Sequence, residues 1–232
     1  MTTVPDARTG RSRACLVVMF KAPSRSKRRL AAEIGPLAGA AAERLFACAR
    51  EDAAAWPGPV CYAPADAADA VWLEREFGAQ PLVVVQRGAN LGARLNHVDD
   101  TLCGRGFGPR IYIGIDCPLL DARYLEAAAT QLKRYDLVVG PATDGGAVVI
   151  GTRRPLPDLA HLPWSTRGLE HSLIELVTAQ GWTVEERGEL TDIDTLDDLH
   201  AAAAALRNDT RPARRALCEW LAAAATTSRV AP

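Results

Sequence analysis

The 232-residue sequence has no C-x-x-C pair and no Cys/His run at zinc-site spacing, so its six cysteines give no metal or redox motif. Cys15, Cys48, Cys61, Cys103, Cys117 and Cys218 are scattered and read as small buried hydrophobes of a reducing compartment. No G-x-x-x-x-G-K-[ST] loop and no G-x-S-x-G elbow occurs, and His97, His161, His171 and His200 lack metal spacing, which removes the P-loop and Ser/His hydrolase readings. Charge of one sign is also missing. With 27 Lys+Arg against 28 Asp+Glu, the net charge of -1 argues against a dedicated nucleic-acid binder. No window approaches a membrane span, and residues 1–13 lack the apolar stretch of a secretory signal, so the cytoplasm is the expected compartment.

What is present is a chain 48% hydrophobic, enough to bury a sizeable core. Apolar runs of strand length recur at 14–20, 59–62, 82–85, 110–115, 136–140, 147–150 and 182–185. Helical patterns fall between them at 36–55, from Asp66, at 87–102, 121–133 and 169–180, and after 195. This alternation predicts a mostly parallel sheet with helices on both faces, and functional residues at the carboxyl ends of its strands. The short link between 136–140 and 147–150 allows a hairpin, making the sheet mixed. The expected division is a tail over 1–13, one domain over 14–207, and an amphipathic helix and tail over 208–232. Leu217, Trp220 and Leu221 form one stripe of that helix, suited to packing on the core or on a second copy as a homodimer.

Four places carry chemistry. The first is the basic loop after strand one, where Lys21, Arg25, Lys27, Arg28 and Arg29 fall within nine residues just before a helix, an arrangement that suits an anion as well as plain solvation. The second is Asp116, a carboxylate ending an apolar strand. Asp121 is the better cap for the next helix, which leaves Asp116 for a divalent cation. The third is DIDTLDDL at 192–199. Thr195 and Asp198 read as a capping box, whereas Asp194, then Asp192, are the candidates for a second metal carboxylate. The fourth is Asp144-Gly145-Gly146, either a hairpin turn or a backbone that a ligand approaches closely. Gln86, Asn90 and Gly92 form a similar strand-end loop, read as base and ribose contacts or as a helix entry. Trp164, Ser165 and Thr166 either touch a ligand or cover the core.

Taken together, FKAP (20–23) with KRRL (27–30), NLGARL (90–95), GIDCPL (114–119), DLVVGP (136–141) with Asp144-Gly145-Gly146, LPWST (162–166) and DIDT (192–195) resemble the bacterial DUF2064 group, also labelled radical-SAM/selenodomain-associated transferase 1. That group lies within the nucleotide-diphospho-sugar transferase, GT-A-like superfamily, and the resemblance spans about 15–199. It implies a Rossmann-like three-layer α/β/α sandwich and a nucleotide, either an NTP or an NDP-sugar, held by Lys21, Ala22, Lys27, Arg28, Arg29, Gln86, Asn90, Gly92 and Asp116. It also implies Mg²⁺ or Mn²⁺ on Asp116, Asp194 and Asp192. Lys27, Arg29 and Asp116 are then the expected catalytic residues, with a small acceptor at Asp144, Gly145, Gly146, Trp164, Ser165 and Thr166. The implied activity is nucleotidyl transfer, with glycosyl transfer from an NDP-sugar as the alternative and nucleotide binding without catalysis as a third. Three departures stand out: Ser24-Arg25-Ser26 in a shortened basic loop, Arg28 in place of a usual Thr, and Ala147 in place of an aromatic.

Overall fold

The computed structural model describes residues 13–228, without the side chains of Arg28 and of 225–228; the tail expected over 1–13 therefore lies almost wholly outside the described residues. Strand β1 (Cys15–Phe20) is buried along its whole length, which is why its sequence is apolar without alternation. It pairs in parallel with β2 (Val60–Pro64) on one side and β3 (Arg110–Ile113) on the other. Next to β3 runs β5 (Ala147–Thr152), antiparallel to β3 and to β4 (Leu137–Pro141), and β6 (Val184–Glu186) pairs in parallel with β4. The sheet order is therefore β2-β1-β3-β5-β4-β6, a mostly parallel, mixed sheet closed by the expected hairpin. All strands except β5 point their carboxyl ends to the same edge.

Successive residues of β1 divide between two cores, as the period of two requires. Leu16, Val18 and Phe20 pack with Ile111, Ile113 and Phe46 on one face, while Val17 and Met19 pack with Tyr112, Val139 and Ile150 on the other. The first face is covered by α2 (Leu37–Ala55), α3 (Ala67–Phe77) and α5 (Ala122–Gln131), the second by α4 (Leu91–Gly104) and α6 (Leu169–Thr178). A third core joins α1 (Arg28–Ile34), α2, α7 (Leu196–Ala205) and α8 (Pro212–Ser228). In it Leu217 and Leu221 are buried, so the stripe of α8 packs on its own chain, with Arg44 lying over the Trp220 ring.

The caps are written in the sequence. Asp66, Asn90 and Asp121 each accept a hydrogen bond from the amide three residues on, and Thr195 with Asp198 forms a complete capping box. Two expectations are corrected. The run at 82–85 closes as a single bridge from Val83 to Tyr62, because it lies outermost and has a neighbour on one side only. The helix expected from 87 starts at Leu91, since Gly88 has φ 137°, outside any helix, and Asn90 supplies the cap. All six cysteines are free; burial pushes the thiols of Cys15, Cys48 and Cys117 up to about 12, so they stay protonated and behave as hydrophobes.

Candidate active site

At the carboxyl edge of the sheet the chain brings together pieces far apart in sequence. The loop after β1 tightens into a 3-10 turn over Pro23–Arg25, and Arg25 fastens it to α3 through Asp66 at 2.6 Å and Asp69 at 3.0 Å. One of the expected free cations is thus a brace. Lys27 follows as the N-cap of α1, in the left-handed region at φ 53°, a backbone state uncommon for a residue with a side chain. That conformation turns its stem inward. The side chain is only 4% exposed, and its ammonium donates to Asp116 at 3.0 Å, to Asp194 at 3.5 Å and to the Ile193 carbonyl.

Asp116 lies three residues beyond the end of β3, and its own carbonyl accepts from Ile193 N at 2.8 Å. The segment carrying Ile193 is drawn in by Leu190, whose N donates to Pro141 O and whose carbonyl accepts from Thr143 N. This pairing lays 190–194 against the turn after β4. Asp144, Asp192 and Asp194 consequently present carboxylate oxygens all within 4.8 Å of one another. Burial, together with the charges of Asp116, Asp144 and Asp194, pushes the Asp192 carboxyl up to about 6. A hard divalent cation prefers such carboxylate oxygens and would relieve their mutual repulsion, so the residues fit Mg²⁺ or Mn²⁺.

Lys27 thus joins Asp116 to Asp194, and Asp194 lies with Asp192 and with Asp144, a residue expected toward the acceptor; Asp116 is not among the three clustered carboxylates and pairs with Lys27 instead. Arg29, 66% exposed, pairs with Asp194 at 2.9 Å and keeps its guanidinium at the rim. Lys21, at the start of the same loop, is exposed, whereas Ala22 is buried and its carbonyl closes the 3-10 turn. The side chain of Arg28 lies outside the described residues.

Other expected contacts have internal duties. Gln86 is buried and donates to the Ala63 carbonyl at 2.6 Å; Asn90 caps α4 and donates to Ala160 O at 2.8 Å. Gly92 lies flush against the Leu159 carbonyl and the Trp164 ring nitrogen, leaving no room for a Cβ. Of the two readings given for this loop, these contacts describe the structural one for Asn90 and Gly92 at the entry of α4, while Gln86 bonds to β2. Trp164 donates to Leu159 O at 2.8 Å and packs against the core, its commoner duty, and Thr166 donates to Pro163 O. Ser165, at φ 63°, stays exposed. Gly145 has φ 85° and backs onto Arg167, and Gly146 N donates to the Asp144 carboxylate at 2.8 Å, which fixes that carboxylate toward the cluster's side of the turn. A cavity of about 590 Å³ between Arg50, Tyr62 and Phe107 shares no residue with this site.

A mostly parallel sheet with one reversed strand and helices on both faces is a GT-A-like, Rossmann-type α/β fold. Within that class, the chain belongs to the DUF2064 family, described as "Uncharacterized protein conserved in bacteria", which matches residues 46–166, just over half of the chain. A protein of Desulfovibrio desulfuricans G20, provisionally named a nucleotide-diphospho-sugar transferase, superposes with a TM-score of 0.82 at 24% identity over 90% of this chain and 95% of its own. The CMP:2-keto-3-deoxy-manno-octonic acid synthetase complexed with CTP superposes with a TM-score of 0.56 at 14% identity, over 84% and 99% of the two chains. Rv0371c of Mycobacterium tuberculosis H37Rv, in complex with manganese, gives 0.50 at 19% identity, over 82% and 97%. No curated protein matches the chain.

Proposed function

We propose that this chain is a transferase of nucleotidyl groups: an NTP donates its NMP to a phosphate or phosphonate oxygen of a small acceptor, with Mg²⁺ or Mn²⁺ required. The observation that carries this reading is the convergence of Lys27 on Asp116 and Asp194 beside Asp144 and Asp192, at the carboxyl edge of the sheet. In the transfer, an anionic acceptor oxygen bonds to the α-phosphorus and the bond from that phosphorus to the bridging oxygen breaks. Pyrophosphate leaves with the electron pair, and no proton needs to move.

Lys21 and Arg29, both exposed, draw in the triphosphate, and Lys27, paired with Asp116 and Asp194, balances negative charge at the carboxylates. Asp116, Asp144, Asp192 and Asp194 are the residues that would hold the cation. When bound, that cation supplies positive charge opposite the charge that develops on the transferring phosphoryl group. The CTP bound to the octonic acid synthetase and the manganese bound to Rv0371c support both requirements.

The test is pyrophosphate release from each NTP with Mg²⁺ across a panel of phosphorylated acids, phosphonates and sugars. Release that depends on an acceptor is expected, and Asp116→Ala should lower it by about a hundredfold or more. Release unaffected by Asp116→Ala would sink the assignment. The name of the Desulfovibrio relative favours a second reading, glycosyl transfer from an NDP-sugar on the same fold. Release of a nucleoside diphosphate from such a donor, with none of pyrophosphate, would select it. Turnover by neither route, with nucleotide still bound, would leave a binding protein.

A further inference from the structure

We propose that Arg211, just ahead of α8, and Arg214 within it are positioning residues for Asp116, so that the C-terminal helix is a working part of the site. The inference rests on the nucleotidyl-transfer reading for what Asp116 does, and on the geometry of the 117–120 turn for how it is held.

Arg214 is fully buried, yet its guanidinium is not simply matched to a carboxylate. Nε donates to Pro118 O at 3.1 Å and Nη2 to Leu120 O at 3.0 Å, while Glu51 at 2.9 Å and Asp52 at 2.5 Å on α2 balance its charge. Arg211 adds a second grip on Leu120 O at 2.8 Å, and is itself oriented by Asp209 at 2.7 Å and Asp52 at 3.2 Å. The turn beginning one residue after Asp116 thus has two carbonyls held by three guanidinium hydrogen bonds. Its remaining supports are Leu120 N on Cys117 O and the buried Cys117 side chain, while Ile193 N holds the Asp116 carbonyl from the other side.

The five N–H groups of the Arg214 guanidinium are all taken, three by Cys48 O, Glu51 and Asp52 of α2 and two by Pro118 O and Leu120 O, so the fork ties the 117–120 turn as well as α8 to α2. Two planar guanidinium forks fix a turn in direction as well as in distance, which an ammonium cannot reproduce. The carboxylate at the head of the turn is thereby held opposite Asp194 and Lys27.

The experiment uses the full chain with Arg214→Lys, which keeps the charge but loses the fork, and Arg211→Gln, at a side chain 28% exposed. Readouts are kcat and KM for pyrophosphate release well below the melting point, the Mn²⁺ dissociation constant from the electron paramagnetic resonance of free Mn²⁺, and Tm. The expected result is a kcat lowered about 10- to 100-fold with nucleotide KM within about twofold, together with Mn²⁺ binding weakened on the order of tenfold. Arg211→Lys, which keeps one donor for Leu120 O, should recover part of both. Variants with wild-type kcat and Mn²⁺ affinity and only a lower Tm would overturn the proposal. If Arg214→Lys gives no folded protein, Arg211→Gln decides by the same readouts. A wild-type chain that binds Mn²⁺ without turnover removes the nucleotidyl-transfer reading, and the Mn²⁺ arm then decides the positioning claim. One that does neither overturns both.

Discussion

Lys27 shows how one residue ties a basic loop to an acidic edge. Its left-handed backbone costs some strain, offset by an ammonium buried among two carboxylates and a carbonyl. By composition it is one cation among five, and only the family resemblance singles it out, together with Arg29. Asp144 was hidden for a similar reason: an Asp-Gly turn after a strand reads as a hairpin, and only the Leu190 pairing shows which carboxylates it joins. Asp116 was legible because a better cap, Asp121, stood five residues on. Gly92 makes the clearest prediction at this scale. A Cβ there meets the Leu159 carbonyl and the Trp164 ring, so Gly92→Ala should lower stability by about 1–3 kcal/mol in urea unfolding, with a change in Trp fluorescence as 162–166 moves.

Among the elements, β3 carries a demand that its apolar pattern conceals. Arg110, 2% exposed, sits at its first position and donates to Asp99 of α4 at 2.8 Å, and Asp99 also accepts from Tyr112 Oη at 2.6 Å and Leu156 N at 2.8 Å. This network clamps α4 to the strand that leads to Asp116. Arg110→Met would leave the Asp99 charge buried with only neutral donors and should cost about 3–5 kcal/mol, measured by urea unfolding. Most elements were legible from apolar runs and caps, since Asp66, Asp121 and Thr195 announce their helices. The helix α1 was not, because its first residues are the basic ones that make the segment look like a solvated loop. The single bridge at Val83 was overread, because a Leu-Val-Val-Val run looks the same whether it pairs on one side or two.

For the molecule as a whole, acid stability follows from carboxylates spread over several elements. Arg25 beside Asp66 draws that carboxyl down to about 2. Burial opposes ionisation of Asp136, but the Thr183 amide and the Arg153 guanidinium outweigh it and hold the carboxyl below its usual range. The hydroxyl and amide of Thr195 do the same for Asp198 against burial, and Arg211 does so for Asp209. A carboxyl lowered on folding contributes stability that is fully present above its unfolded value, near 4, and lost as pH falls through its folded value. A Tm series from pH 6 to pH 2 should therefore fall most steeply below pH 4. Asp136→Asn should lower Tm at pH 7 and flatten that descent; an unchanged profile would refute its share.

The single bridge at Val83 also bears on how the protein behaves when crowded. Segment 82–86 donates from Val84 N and Gln86 N to the carbonyls of Tyr62 and Pro64, and Leu82 O accepts from Tyr62 N. It thereby consumes the outward hydrogen-bonding groups of β2 without offering a full strand of its own. Sheets left open at such an edge recruit copies of themselves. This short strip of chain acts as a hem, and its loss would first be seen as turbidity in a concentrated sample before any change in turnover.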